Sequence, residues 1–216
     1  MDTNRFIIGT GYCNTNNKYI DDLEFFTNNW LPNTINLNPT KIVVVNSGEQ
    51  LDVRHDILEF INLTNKTYHV KDMNHSTDLF GGWSLSFINS ALYAYSCKCD
   101  FIYKEQDCLT FGDIIPELYQ QYNPPSEKYS IELSLMLLKY EFIPIFISEL
   151  LSIQKSDGGY NCMRPEEKFL VIKNKYKNYI KFFDIGPGGG NRPISDTHPF
   201  YIQKPRRYYM SNQDIP

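Results

Sequence analysis

Apolar residues in the first third of the chain alternate between helical spacing and short continuous runs. Helical spacing of large side chains, such as Leu23, Phe26 and Trp30, predicts amphipathic helices, whereas a run of valines is typical of a strand buried in a parallel sheet. The predicted order is strand, helix, strand, helix, strand, over residues 5–10, 20–37, 41–46, 52–63 and 67–70. This alternation favours a mostly parallel sheet with helices on its faces.

The second part of the chain begins with a loop over residues 71–82. Ile88, Ala91 and Tyr95 then recur at helical spacing, which predicts a helix over 83–95. Aromatic and β-branched residues predict a strand over 100–104. The remaining predicted elements are helices over 112–122, 126–139 and 144–153 and a strand over 179–185. We therefore expect one α/β domain over residues 1–216, with a central mixed, mostly parallel sheet and a C-terminal tail from about residue 204.

Composition narrows the class of protein. With 216 residues, a mass of 25.3 kDa and 42% hydrophobic residues, the chain can build one core. Its net charge of −4 disfavours a sequence-independent nucleic-acid binder, and the basic run at 204–207 is either a solvated tail or a phosphate contact. Five cysteines without zinc spacing indicate reduced thiols. Because there is no leader and no apolar run of about 18 residues, the sequence predicts a cytoplasmic protein without a membrane span.

Two glycines stand at the end of the first predicted strand. Gly9-Thr10-Gly11 has the start of a dinucleotide-binding fingerprint, but the third glycine is missing, so that fingerprint fails. A strand-end loop of this kind would still let a nucleotide approach the backbone at Thr10. Tyr12 is then a candidate for stacking on a base, and ordinary packing is the alternative for this ring.

A pair of carboxylates follows the strand predicted at 100–104. Side chains alternate in an extended chain, so Glu105 and Asp107 would project to one side with their Cα atoms roughly 6.6 Å apart. Carboxylates arranged in this way suit Mg²⁺ or Mn²⁺ sites in which phosphate oxygens complete the ligand shell. The alternative is a solvated turn at the end of a strand.

The segment 81–109 contains a glycine pair, a helix with small residues, a strand and Glu105-Gln106-Asp107. In this order it resembles the nucleotide-sugar half of a GT-A glycosyltransferase, a Rossmann-like fold whose metal motif is usually Asp-x-Asp. Residues 103–109 are similar to small glycosyltransferases of large DNA viruses, of the chlorovirus and giant-virus kind. The resemblance implies that Asp107 binds Mn²⁺ or Mg²⁺ and that Glu105 contacts ribose or sugar. The change from Asp to Glu leaves open which carboxylate contacts the metal.

The same resemblance implies further contacts with the donor. Asp78 lies in the loop over 71–82, and Gly82 and Trp83 stand at the start of the predicted helix. Arg192 follows a run of glycines that suits close approach to a diphosphate. His198 would be a second metal ligand, and the alternative for a lone histidine in a loop is a structural role.

The resemblance also implies a general base that takes the proton of the acceptor hydroxyl. Two positions are candidates, and the first is similar to the acidic pair that supplies the base in inverting GT-A enzymes. Glu166, with Glu167 behind it, opens a predicted helix, where acidic residues are also favoured simply by the helix dipole. Asp184 lies at the end of the strand predicted over 179–185.

These features imply a metal-dependent glycosyltransferase that moves a hexose from a nucleotide sugar to an oligosaccharide or glycoprotein acceptor. UDP-glucose or another UDP-hexose is the expected donor, and the host cytoplasm is the expected location if the protein is viral. One alternative is a sugar-phosphate nucleotidyltransferase, although residues 9–14 lack the basic residue that its glycine-rich loop normally carries. The other is a non-catalytic carbohydrate-binding or virion protein in which the acidic pair is incidental.

Overall fold

A central β-sheet organises the structure, a computed structural model that describes residues 5–12, 20–46, 51–63, 82–120, 135–156, 171–172, 174–176, 180–182 and 201–203. The strands in these residues are β1 (Phe6–Tyr12), β2 (Lys41–Asn46), β3 (Leu58–Asn62), β4 (Asp100–Lys104), β5 (Cys108–Thr110), β6 (Leu135–Leu138), β7 (Ile180–Phe182) and β8 (Tyr201–Gln203). The helices are α1 (Ile20–Phe25), α2 (Leu31–Ile35), α3 (Gly82–Ser96), α4 (Ile114–Gln120) and α5 (Ile143–Ser156).

The sheet is mixed and mostly parallel, as the sequence predicts. Its strand order is β3-β2-β1-β4-β6-β7 among the described residues. The first four strands in this order run parallel, and β6 and β7 are antiparallel to their neighbours. A separate antiparallel pair joins β5 to β8. The prediction of one domain over 1–216 with a tail from about 204 stays a prediction.

Helices cover both faces of the sheet because residues of each strand alternate between two apolar clusters. On β1, Ile7 belongs to a core shared with Phe87 of α3 and Phe146 of α5. Phe6 and Ile8 lie in the opposite core, with α4. Burial of each large apolar side chain stabilises the fold by about 1.5–3 kcal/mol, so both layers contribute substantially.

The first predicted helix is confirmed, with a local change of winding. Between α1 and α2, Phe26–Trp30 forms a π-helical turn in which the Leu31 amide donates to the Phe26 carbonyl. Pro32 has no amide hydrogen, so an α-helical bond is absent at that position and the wider turn is tolerated. The turn stacks the Phe26 and Trp30 rings, whose centroids are 5.0 Å apart.

Two predicted helices are wrong where the structure describes them. The helix predicted over 52–63 is replaced by β3, because Leu58 and Ile61 lie in opposite cores and not on one helical face. Part of the helix predicted over 126–139 is β6, a continuous apolar run buried on both faces of the sheet. The strand predicted at 67–70 lies outside the described residues.

Each of the remaining predicted helices and strands is also a helix or a strand, respectively, in the structure. Strands β2, β4 and β7 and helices α3, α4 and α5 overlap their predicted ranges. Among the described helices, none has both the length and the apolar character needed to cross a bilayer.

Candidate functional site

The strand order reverses direction between β1 and β4. From β1 the chain moves to β2 and β3 on one side, and it then returns to place β4 on the other side. In open α/β sheets, ligands bind in the crevice at the carboxyl ends of the strands where such a reversal occurs. The carboxyl end of β4 is Lys104, so Glu105 and Asp107 follow the strand at this crevice.

Glu105 and Asp107 lie in a tight turn and not on an extended strand. The Cys108 amide donates to the Glu105 carbonyl at 3.0 Å, which closes the turn between β4 and β5. The extended separation of roughly 6.6 Å expected from strand geometry therefore does not apply. Both acidic side chains are half-buried. We refer to residues 105–107 as the acidic turn.

Tyr103 lies beneath the acidic turn on the α3 side of the sheet. Its hydroxyl oxygen is 3.3 Å from the Ser86 hydroxyl oxygen. Burial raises the pKa of Tyr103 well above its usual value, and the negative charges of Glu105 and, more weakly, Asp107 raise it further. Both negative charges therefore lie close enough to the Tyr103 hydroxyl to disfavour its ionisation.

Helix α3 runs back along β1 and starts near the same edge. Ser86 lies against Gly11 near the end of β1, and Ser90 lies against Gly9 nearer its start. The first turn of α3, which begins at Gly82, therefore lies towards the carboxyl edge of the sheet, and the backbone amides of a first helical turn have no partner within the helix itself. Such groups favour anions. Gly82 and Trp83 are both helical, and the Trp83 side chain lies outside the described part of the structure.

The predicted strand-end loop at Gly9 and Gly11 is wrong, because β1 continues to Tyr12. A Cβ atom at Gly9 would lie 2.5 Å from the Ser90 Cβ atom and 2.6 Å from a ring carbon of Phe101. One at Gly11 would lie 2.6 Å from the Ser86 hydroxyl oxygen. These glycines allow α3 to pack closely on β1.

Thr10 and Tyr12 lie on the other face of β1. Thr10 is fully buried, and Tyr12 is 2% exposed with its ring 5.2 Å from that of Phe26. In this structure both are core side chains at the end of β1. A donor contact from either of them stays a prediction.

Lys104 is a functional candidate that the sequence patterns did not single out. Its side chain is fully buried on the face opposite Tyr103. The Lys104 ammonium donates to the Asn33 side-chain oxygen at 2.9 Å and to the Thr34 hydroxyl at 2.7 Å, and it lies 4.7 Å from the Trp30 ring centroid. Burial lowers the pKa of Lys104 to about 7, slightly opposed by Cys108. A lysine at the end of β4, directly before the acidic turn, was the only sequence signal.

The remaining predicted site residues lie outside the described residues. These are Asp78, Glu166, Glu167, Asp184, Arg192 and His198. Strand β8 nevertheless returns the C-terminal part of the chain to β5, with Tyr201 opposite Thr110. Residues 201–203 therefore lie beside the strand that follows the acidic turn.

The chemistry of the acidic turn suits a hard divalent cation only if other ligands contribute. Among the described residues, no group of three or more His, Cys, Asp or Glu side chains is placed to hold a metal ion. Two carboxylates with phosphate oxygens are a known arrangement for Mg²⁺, which keeps few protein ligands. The donors of the acidic turn are therefore of the chemical kind that Mg²⁺ takes when a phosphorylated ligand completes its shell.

Comparisons with known proteins found similarity in structure. No family model matches the chain, and no curated protein matches it by sequence. The galactosyltransferase LgtC, solved with donor and acceptor sugar analogues, is similar with a TM-score of 0.48 and 10% identity, over 81% of this chain and 70% of LgtC. The apo-form glycosyltransferase GlyE of Streptococcus pneumoniae is similar with a TM-score of 0.44 and 10% identity, over 85% of this chain and 46% of GlyE. Both are glycosyltransferases, and similarity at this level assigns no substrate or residue role to this chain.

Proposed function

We propose that the protein is a metal-dependent glycosyltransferase that moves a sugar from a nucleotide-sugar donor to a glycan acceptor. The observation that supports this most strongly is the position of the acidic turn, with Glu105 and Asp107 at the carboxyl end of β4 where the strand order reverses. A UDP-hexose, with UDP-glucose as first choice, is the proposed donor. The proposed acceptor is an oligosaccharide or a glycoprotein.

In this proposal Asp107 holds Mn²⁺ or Mg²⁺ together with diphosphate oxygens of the donor, and His198 is a further ligand. The ion would stabilise the negative charge that develops on the nucleoside diphosphate as the glycosidic bond breaks. Glu105 binds the ribose or sugar of the donor. The half-buried position of both carboxylates supports this assignment, because electrostatic interactions are stronger where water is partly excluded.

The proposed donor site includes further residues. The backbone amides of Gly82 and Trp83, at the start of α3, are the proposed contacts to the anionic diphosphate, because the first turn of a helix favours anions. Thr10, Tyr12, Asp78 and Arg192 complete the proposed donor set. Glu166 or Asp184 is the proposed general base for the acceptor hydroxyl.

A donor-hydrolysis assay tests this function. The protein is incubated with Mn²⁺ and a panel of UDP-, GDP- and CDP-sugars, and the released nucleotide is measured. We expect UDP release from at least one UDP-hexose. EDTA should abolish it, and Asp107→Asn should lower it by roughly 100-fold or more, since the metal supplies several kcal/mol and each 1.36 kcal/mol is tenfold in rate.

A matched carboxylate provides the control for that assay. Asp113 is exposed just beyond β5, and Asp113→Asn should retain the activity of the unmodified protein. Absence of nucleotide release from every sugar tested would contradict a transferase. Formation of pyrophosphate from UTP and a sugar phosphate would favour the nucleotidyltransferase instead, and glycan binding without turnover would favour a carbohydrate-binding protein.

A further inference from the structure

One helical segment contacts the chain on both sides of the acidic turn. The Trp30 indole donates to the Glu105 carbonyl at 2.7 Å, at the start of the turn. Asn33, three residues later, bonds to Thr110, three residues after Asp107. Residues three apart lie on the same side of a helix, so a single helix face reaches both flanks. The helical segment that carries Trp30 and Asn33 therefore stabilises the acidic turn, although it contributes no carboxylate to it.

The Asn33 side chain pairs with Thr110 in the manner of a neighbouring strand. Its amide nitrogen donates to the Thr110 carbonyl at 2.7 Å, and its side-chain oxygen accepts from the Thr110 amide at 3.0 Å. The Thr110 hydroxyl donates to the same oxygen at 3.1 Å. Two backbone groups and one side chain of Thr110 are thus fixed by one residue, which defines the position of β5 relative to α2.

Lys104 completes this arrangement from the strand that precedes the turn. Its ammonium donates to the same Asn33 oxygen at 2.9 Å and to the Thr34 hydroxyl at 2.7 Å. The Thr34 hydroxyl in turn donates to the Trp30 carbonyl at 2.7 Å. The five residues form one connected network, the Lys104 cluster: Trp30, Asn33, Thr34, Lys104 and Thr110.

Burying a lysine side chain is energetically unfavourable compared with burying an apolar side chain of the same size. Lys104 is fully buried, and none of the ion pairs among the described residues includes it. An apolar side chain of similar volume would avoid the desolvation of an ammonium group, which makes buried charge a poor source of stability. The directional bonds of Lys104 do provide one thing that Leu or Met cannot, which is a fixed orientation for Asn33 and Thr34.

From this network we infer that Asn33 and Lys104 are positioning residues that hold the acidic turn in the geometry needed for metal and donor binding. The inference rests on the proposed function of the turn. Groups at a binding site must be held within about 0.5 Å of the productive geometry, and the residues that support them decide whether this happens. Here the supporting residues are those of the Lys104 cluster, which lie on the face of the sheet opposite Tyr103.

The first test measures the order of the turn without any ligand. Amide hydrogen exchange is followed by NMR at Cys108 and Thr110, whose amides bond to the Glu105 carbonyl and to Asn33. In Asn33→Ala we expect exchange at both amides to accelerate by roughly tenfold or more, because the hydrogen-bonded state that protects them from exchange loses the bonds made by Asn33. Unchanged exchange at Cys108 would show that the cluster does not hold the turn, and would overturn the inference.

The second test measures binding of UDP with Mn²⁺ by calorimetry, below the unfolding transition of every variant. Asn33→Ala and Lys104→Met should each raise the Kd by about 10- to 100-fold, as is typical when support for a metal ligand is removed. Lys104→Met retains most of the packing volume, so it keeps the test valid if Asn33→Ala fails to fold.

Asp100→Ala is the matched control because it breaks a comparable network at the opposite end of β4. Asp100 accepts bonds from the Tyr119 hydroxyl at 2.8 Å, the Lys139 ammonium at 3.0 Å and the Tyr140 amide at 2.8 Å. We expect lower stability in this variant with a Kd close to that of the unmodified protein. A merely structural role for the Lys104 cluster predicts that the variants differ in stability and keep their Kd, which would overturn the inference.

The two proposals fail in different ways. If the unmodified protein does not bind UDP with Mn²⁺, the proposed function is wrong and the positioning role falls with it. If the unmodified protein binds and the Asn33 and Lys104 variants bind equally well, the proposed function stands and the positioning role is wrong.

Discussion

Among the described residues, Lys104 is the only Lys, Arg, Asp or Glu side chain that is buried. Lysine is almost never fully buried unless it is paired, yet this ammonium meets an amide oxygen, a hydroxyl and the Trp30 ring. The ring face attracts a cation, which offsets part of the lost hydration. Burial still dominates, and it lowers the pKa of Lys104 from 10.5 to about 7.

This lowered pKa predicts how stability depends on pH. Below pH 7 both the native and unfolded chains carry the proton, and the native state bears the full cost of the buried charge. Between pH 7 and 10.5 the native state has lost the proton and the unfolded state keeps it, so the free energy of unfolding rises with pH. We expect a contribution of about 1.4 kcal/mol per pH unit over the lower part of this window.

Urea denaturation at pH 7.0 and at pH values up to about 8.5 measures this slope. The upper limit lies below the usual tyrosine pKa of about 10, and the ionisation of thiols, whose usual pKa is about 8.5, contributes equally to the unmodified protein and to the comparison variant. Lys104→Met provides the comparison, because it removes the titrating group and retains most of the volume. Equal slopes in the two proteins would contradict the lowered pKa.

At the residue scale, sequence reasoning found the acidic pair and missed its support. Glu105 and Asp107 are visible because two acids one residue apart interrupt an apolar pattern. Asn33 and Trp30 lie more than 70 residues earlier, and their bonds to Thr110 and Glu105 depend on how α2 packs on the sheet. No local pattern encodes such a contact.

At the scale of elements, the close approach of α3 to β1 determines the shape of the candidate site. Gly9 and Gly11 remove the side chains that would separate them, and Ser86 and Ser90 fill the narrow gap. The Ser90 hydroxyl donates to the Ser86 carbonyl at 2.6 Å, so its burial leaves no unmet donor. The start of α3 therefore stays beside the carboxyl ends of β1 and β4.

Alanine substitution tests this packing. In Gly9→Ala the new methyl group would collide with the Ser90 side chain and with the Phe101 ring, so we expect a loss of about 1–3 kcal/mol in the free energy of unfolding. Gly11→Ala is the matched comparison. Its closest contact is the Ser86 hydroxyl, with the Ser86 Cβ atom at 2.9 Å, so its loss should be smaller.

Chemical denaturation of the two variants, with equal m values, gives the comparison directly. A Gly9→Ala protein as stable as the unmodified chain would show that β1 and α3 are not in close contact at this position. A larger loss at Gly11 than at Gly9 would contradict the assigned contacts.

The spacing of apolar residues along the sequence identified most helices and strands correctly. It failed for two short apolar runs. Helix α3 is long and regular, and β2 is a run of valines, so both types are clear from the sequence. Strands β3 and β6 have five and four residues, too few for the period to distinguish a strand from a turn of buried helix. Their pairing with β2 and β4 decides the outcome, and this is a tertiary effect.

For the whole molecule, strand order connects the fold to the proposed function. The parallel strands β3, β2, β1 and β4 bring their carboxyl ends to one edge, and the acidic turn lies beside β1 where the strand order reverses, which is where open α/β sheets bind ligands. The fold class could be predicted from alternating strands and helices. The strand order could not, because it depends on which strands pair across the chain.

The acidic turn also gains support from distant parts of the molecule on two sides. Asn33 of α2 bonds to Thr110 on one face of the sheet, and β8 pairs with β5, the strand that follows the turn. Three separate parts of the chain thus meet at residues 105–110. A convergence of this kind is expected where a site must keep a fixed geometry.

Calorimetric titration of the protein with UDP, with and without Mn²⁺, tests the central claim most directly. We predict binding that requires Mn²⁺, that exceeds binding of GDP and CDP, and that is lost in Asp107→Ala while Asp113→Ala retains it. Binding of UDP that is the same without Mn²⁺, or the same in Asp107→Ala, would contradict the assignment of the acidic turn as the metal and donor site.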